Sequence, residues 1–116
     1  GRALGRTIGI PTVNLSVPHD KLLPPKGVYM SRVLVRDNWY LGVTNIGCKP
    51  TIEGKNPIGA ETYIIDFGQD VYGQDIMVEL HKFVRPEMKF DSIEALKSQM
   101  SADINFTINY AGSHTF

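Results

Sequence analysis

Val28-Tyr29-Met30-Ser31-Arg32-Val33-Leu34-Val35-Arg36-Asp37-Asn38-Trp39-Tyr40-Leu41-Gly42-Val43-Thr44-Asn45-Ile46 is the stretch on which the fold turns. Two runs rich in β-branched and aromatic residues flank Asp37-Asn38, a dipeptide suited to a two-residue hairpin loop. They read as strands over 28–36 and 39–46. Upstream, Pro24-Pro25-Lys26-Gly27 ends the preceding segment, and downstream Gly47-Cys48-Lys49-Pro50 ends the hairpin. By the same criteria 12–17, 61–67 and 75–84 read as strands, the last two joined less tightly through Gly73-Gln74. Several short strands with frequent turns predict a mainly β domain, a closed or nearly closed antiparallel barrel.

The final quarter changes period. Ile93, Leu96, Met100, Ile104 and Ile108 recur every three to four residues, which predicts one amphipathic helix from 92 to about 109, packed on the barrel. Asp91 is the expected N-cap, with Glu94 reaching back in a capping box. Residues 1–109 then form one domain, with 110–116 as a tail.

Composition narrows the function classes. The chain has 116 residues, enough for one modest core, with 42% hydrophobic and 21% charged residues. Twelve basic residues balance twelve acidic ones, so no general electrostatic attraction draws it to nucleic acid or to an anionic membrane. No apolar run approaches the ~18 residues of a membrane span. Cys48 is the only cysteine, which excludes an internal disulfide and the paired-cysteine zinc patterns and suits a cytoplasmic setting.

Three segments could carry chemistry. The first runs from Gly1 to Leu15, with Gly1, Gly5 and Gly9 at four-residue spacing before Pro11-Thr12-Val13-Asn14. Glycines let backbone N–H groups approach an anion closely, and Thr12 and Asn14 share one face of an extended strand. A hydroxyl and an amide oxygen suit Mg²⁺ beside a phosphate; equally, they serve to satisfy backbone groups at a turn. It is neither a P-loop nor a dinucleotide fingerprint. In the second segment, Glu61 shares a strand face with Tyr63, Ile65 and Phe67, an apolar face expected to point inward. A carboxylate there is a candidate general base, unless it sits at the strand's start and reaches solvent. The third is Phe83-Val84-Arg85-Pro86-Glu87-Met88-Lys89-Phe90. Arg85 offers a fork of donors to a polar ring or phosphate, and Met88 and Phe90 an apolar wall; the plainer alternative is a strand-to-helix connection with a solvated arginine.

Taken in order, these segments resemble the riboflavin kinase family. The match runs through Gly5-Arg6-Thr7-Ile8-Gly9-Ile10-Pro11-Thr12-Val13-Asn14, Lys26-Gly27-Val28-Tyr29, Thr44-Asn45-Ile46-Gly47 with Lys49-Pro50-Thr51, Glu61-Thr62-Tyr63-Ile64-Ile65-Asp66-Phe67, Asp70-Val71-Tyr72-Gly73, and 83–90. The resemblance implies a six-stranded Greek-key barrel with one packed C-terminal helix. It implies transfer of the ATP γ-phosphoryl group to the 5′-hydroxyl of riboflavin, giving FMN. Carried over position by position, Thr12 and Asn14 would contact Mg²⁺ and the phosphates, and Gly5 and Gly9 would belong to a flap over ATP. Glu61 would be the base. Phe67 and Tyr72 would lie near the adenine, and Arg85, Met88 and Phe90 at the flavin. In bacteria the module is usually the C-terminal part of a bifunctional enzyme whose N-terminal part is an FAD synthetase, a partner on the same chain. The family's first strand normally precedes Gly1, so the sequence reads as a fragment. A barrel that holds FMN without making it, and a nucleic-acid-binding barrel, are the rival readings; zero net charge speaks against the latter.

Overall fold

In a computed structural model the described residues are 12–15, 24–48, 58–68 and 75–113. Five strands and one helix follow in chain order: β1 (Val13–Leu15), β2 (Gly27–Val35), β3 (Asn38–Cys48), β4 (Ile58–Ile64), β5 (Ile76–Arg85) and α1 (Ile93–Ser113). The strands form one antiparallel sheet in the order β1-β4-β3-β2-β5. All five strands expected from the sequence are present.

The central hairpin differs from expectation by one residue. Val35 pairs with Asn38, so the two-residue loop is Arg36-Asp37. Arg36 takes the positive φ, 56°, that such a loop demands at its first position. Asn38 is thereby released to begin β3.

The inward face of the curled sheet holds two apolar clusters. Tyr29, Ile46 and Ala60 form one, with Leu15 and Leu80 packed against it. Val33, Val35 and Ile64 form the other, joined by Val13, Tyr40, Phe67, Ile76 and Val78. Each cluster draws on both edge strands, β1 and β5, so the sheet wraps around its own interior.

This placement corrects the face assigned to β4. Ala60, Thr62 and Ile64 are buried and inward, whereas Glu61 and Tyr63 lie on the outer face. The apolar weight of Ile65 and Phe67 suggested the opposite, but β4 ends at Ile64. Asp66 then adopts φ 57°, which breaks the two-residue alternation and folds Phe67 back onto the core. Ile65 N donates to Leu41 O at 2.9 Å, and Phe67 meets the Tyr40 ring edge-on with centroids 4.9 Å apart.

The helix covers one end of the outer face. From Gly27 to Ser31 every residue of β2 is buried, and beyond Ser31 burial alternates. The helix packs against β3. It extends through Ser113, so residues 110–113 of the expected tail belong to it. Its N-cap is Ser92 rather than Asp91: Ser92 Oγ accepts from Ala95 N at 3.1 Å. The buried helix residues are Asp103 and Thr107, while Ile93 and Ile108, at the two ends of the expected stripe, are exposed.

Candidate functional site

Between the helix and the outer face of the sheet lies a cleft of about 570 Å³. One cross-strand row builds its floor. Asn14 pairs with Glu61, Glu61 with Asn45, Asn45 with Val28 and Val28 with Arg85, so the row crosses all five strands. Directly opposite residues in an antiparallel sheet share a face. Glu61, Asn45 and Arg85 line the cleft together with Thr12, two residues before Asn14 on β1's side of the sheet.

Arg85 reaches this face through an irregularity. Tyr29 pairs with Phe83 and Val28 with Arg85, leaving Val84 as an extra residue in β5. Without that bulge Arg85 would keep the inward parity of Phe83; the bulge turns it to the cleft. There its guanidinium binds Asp103 of the helix: Nη2 donates to Oδ2 at 2.8 Å, and Nε donates to Oδ1 and Oδ2 at 3.0 and 3.2 Å. Gln99 Nε2 donates to Asp103 Oδ1 at 3.0 Å, and Arg85 Nη1 donates to Pro86 O at 3.1 Å. Asp103 is 3% exposed. The plainer expectation of a solvated arginine is therefore wrong: Arg85 ties the sheet to the helix at the edge of the cleft, with the Phe90 ring 6.0 Å from its guanidinium carbon.

The segment 86–90 forms a wall of the cleft with Glu87, Met88 and Phe90. The Glu87 carboxylate occupies the space a Cβ on Gly47 would need, so glycine at 47 gives that side chain its seat over β3. The helix contributes Leu96, Met100 and Ile104, making the far wall largely apolar.

Thr12 is buried, and its Oγ1 has no hydrogen-bond partner among the described residues. An unsatisfied hydroxyl beside a cleft is costly unless something else supplies the bond. The lining carries four carboxylates, Glu61, Glu87, Asp91 and Asp103, against one guanidinium, Arg85. A polyphosphate could enter such a site only with a cation, and the orphaned Thr12 hydroxyl is a hard oxygen ligand of the kind Mg²⁺ takes. The residues thus fit a metal–phosphate group. Among the described residues no group of three or more His, Cys, Asp or Glu side chains forms a metal cluster by itself.

Thr12, Glu61, Arg85, Met88 and Phe90, separated by up to 78 positions in the sequence, meet in this cleft. Phe67 does not line it, being packed against Tyr40 and the interior. Gly5, Gly9 and Tyr72 lie outside the described residues, as does the Asn14 side chain. Sequence reasoning missed Asp103; its signal was an acidic residue set between Met100 and Ile104 on the apolar face, one turn after Gln99.

Comparison with known proteins shows the family. The family model described as Flavokinase, riboflavin kinase, matches residues 1–111. The bifunctional riboflavin kinase/FMN adenylyltransferase of Listeria monocytogenes is 38% identical over 103 residues, covering 89% of this chain and 33% of the relative. The Bacillus subtilis protein of the same name is 41% identical over 112 residues, covering 95% and 35%. A crystal structure described as a macrolide-efflux protein from Streptococcus pneumoniae superposes with a TM-score of 0.84 at 38% identity, covering 94% of this chain and 36% of that one. The chain spans about a third of the length of the curated relatives it matches. No described helix is long and apolar enough to cross a membrane. With the family match running from Gly1 into the helix that closes the cleft, the chain belongs to the riboflavin kinase family.

Proposed function

We propose that this chain transfers the γ-phosphoryl group of ATP to the 5′-hydroxyl of riboflavin, giving FMN and ADP. The observation that carries the reading is the meeting of Thr12, Glu61 and Arg85 with the apolar wall of Met88, Phe90 and Met100 in one cleft. An uncharged, mostly apolar ring with one polar edge suits a cleft with that wall and a single guanidinium.

Glu61 is assigned as general base, taking the proton of the attacking primary hydroxyl as the O–P bond forms and the bond to ADP breaks. Its place beside Asn45 in the sheet row supports this, because the two side chains line the cleft together. Thr12 and Asn14 would hold Mg²⁺ with the nucleotide phosphates; Mg²⁺, when bound, neutralises phosphate charge next to the carboxylates. Gly5 and Gly9 would cover the phosphates. Arg85, held by Asp103, presents its remaining donor edge at the flavin side, and Met88 and Phe90 exclude water from the ring. Charge neutralisation and alignment supply most of the acceleration, and proton removal about 10²–10⁴-fold. The curl of the sheet supports closure into a six-stranded Greek-key barrel in the whole module. As in the relatives whose names couple both activities, the proposed partner is an FMN adenylyltransferase on the same polypeptide.

The test is chromatographic detection of FMN from riboflavin, ATP and Mg²⁺. Glu61→Gln is expected to keep the fold and ATP binding while turnover falls at least 100-fold. Near-native turnover in that variant refutes the base assignment, and flavin binding without any turnover in the parent chain would make this a carrier.

A further inference from the structure

Between the two apolar clusters of the interior lies a polar layer. Along β2, Tyr29 belongs to one cluster, Val33 to the other, and Ser31 lies between; along β4 the corresponding order is Ala60, Thr62, Ile64. In β3, Thr44 follows the same logic two residues before Ile46. Ser31, Thr44 and Thr62 are each 0% exposed. Thr44 Oγ1 donates to Ser31 Oγ at 2.9 Å and meets Thr62 Oγ1 at 2.8 Å. A hydroxyl has one proton. That of Thr44 goes to Ser31, so Thr62 is the donor to Thr44, and the chain runs in one direction from β4 through β3 to β2.

Gly42 completes the layer. A Cβ there would stand 2.7 Å from both Ser31 Oγ and Val33 Cγ2 and 3.3 Å from Thr62 Cγ2. The sequence leaves out a side chain where the hydroxyl chain needs room. Three hydroxyls in the centre of a small core are no gain over apolar packing; fully satisfied, they fix geometry.

What they fix is the strand pair that carries Glu61. Thr44 pairs with Thr62, and the next pair along is Asn45 with Glu61. The first pair faces inward and the second faces the cleft. We propose that the Ser31–Thr44–Thr62 chain is a positioning device for the general base: it pins β3 against β4 on the inner face and so sets where Glu61 stands relative to Asn45 on the outer face. This rests on the assignment of Glu61 under the proposed function. Thr62 touches no substrate in this scheme; it acts through its neighbour's backbone.

The test is a kinetic double-mutant cycle on the chain, once the parent's turnover of riboflavin is established; its absence would defeat the function and not this proposal alone. Thr62→Val keeps the shape and removes the donor. It is expected to lower kcat about tenfold while KM for riboflavin and for Mg-ATP stays within twofold, since a misplaced catalytic group costs rate steeply. Thr62→Ser, which restores the hydroxyl, is expected to recover at least half of kcat. In the Glu61→Gln background the same Thr62→Val change is expected to leave the residual rate unaltered, because the residue it positions is gone. An equal loss in both backgrounds, or a KM rise matching the kcat fall, assigns the layer to stability and overturns the proposal. Should Thr62→Val fail to fold, Thr44→Val is read by the same cycle with the same two outcomes.

Discussion

Asp103 and Arg85 join the helix to the sheet through the most enclosed ion pair among the described residues, and removing the two partners should have unequal effects. Their side chains are 4% and 16% exposed. Arg85→Met leaves the Asp103 carboxylate buried with the Gln99 amide, at 3.0 Å, as its remaining side-chain donor among the described residues. A stranded buried charge of this kind costs about 3–5 kcal/mol. Asp103→Leu strands the guanidinium instead, but Arg85 lies at the rim, already donates to Pro86 O at 3.1 Å, and has a long stem on which the head reaches water. Losing its partner should cost about 1–3 kcal/mol, the range for a polar group deprived of its hydrogen-bond partner. In the double variant neither charge is left unpaired, and its cost should fall below that of Arg85→Met alone.

Urea unfolding of the four proteins measures this directly, with equal slopes expected if the denatured state is unchanged. In a thermal melt Arg85→Met should lose roughly 10–20 °C, at roughly 4 °C per kcal/mol for a domain of this size. Two results would refute the reasoning: costs that add across the cycle, or a larger loss from Asp103→Leu than from Arg85→Met. The first denies the coupling seen at 2.8 Å between Nη2 and Oδ2, and the second denies that burial sets the penalty.

Two further outcomes follow from single groups. Ser92→Ala removes the hydroxyl that accepts from Ala95 N and should cost about 1 kcal/mol in urea unfolding, whereas Asp91→Ala should change stability by less than half of that; the reverse order would restore Asp91 as the cap. Thr12→Val deletes an oxygen that has no hydrogen-bond partner among the described residues, so stability should hold or rise slightly while calorimetric affinity for Mg-ATP weakens several-fold; unchanged affinity removes Thr12 from the nucleotide site.

Much of the fold was legible because its strands obey local rules. β2 and β3 are dense in Val, Tyr, Trp and Thr, and a polar dipeptide separates them, so the hairpin was found within one residue of its loop. The loop itself moved to Arg36-Asp37 because strand pairing continued to Val35 and Asn38, a tertiary preference that outweighs the local preference for Asn in the turn. The two faces of β4 could not be assigned locally. Its inward residues Ala60 and Thr62 are small or polar, and its outward neighbour Tyr63 is large and apolar, so hydrophobicity pointed the wrong way. Thr62 is accommodated inward because the Thr44 hydroxyl, itself bonded to Ser31, receives it there, which is information carried 18 and 31 positions away. Bulges are likewise silent in sequence: Val84 reads as one more strand residue, yet it decides that Arg85 faces the cleft. Thr12, Glu61 and Arg85 lie in the three segments the sequence singled out, whereas Asp103 stands outside them, within an otherwise apolar helical stripe.

That last omission bears on why the site is a cleft at all. A helix with a continuous apolar stripe settles onto a sheet until the stripe is buried, closing the space beneath it. Here the stripe is interrupted: Ile93 and Ile108 stay exposed, Leu96, Met100 and Ile104 are half-buried along the cleft, and the enclosed side chains are Asp103 and Thr107. Thr107 Oγ1 donates to Asp103 O at 2.9 Å, so it satisfies itself within the helix and asks nothing of the sheet. Among the described residues the shortest directional contact to the sheet is the Arg85–Asp103 pair. A directional pair holds the helix at one point and one distance, which non-directional apolar burial does not do. The half-buried Leu, Met and Ile side chains are thereby left lining the cleft instead of being used up in packing. On this reasoning the apolar wall and the ion pair are two parts of one device, and replacing Asp103 by leucine should narrow the cleft even where it costs little stability.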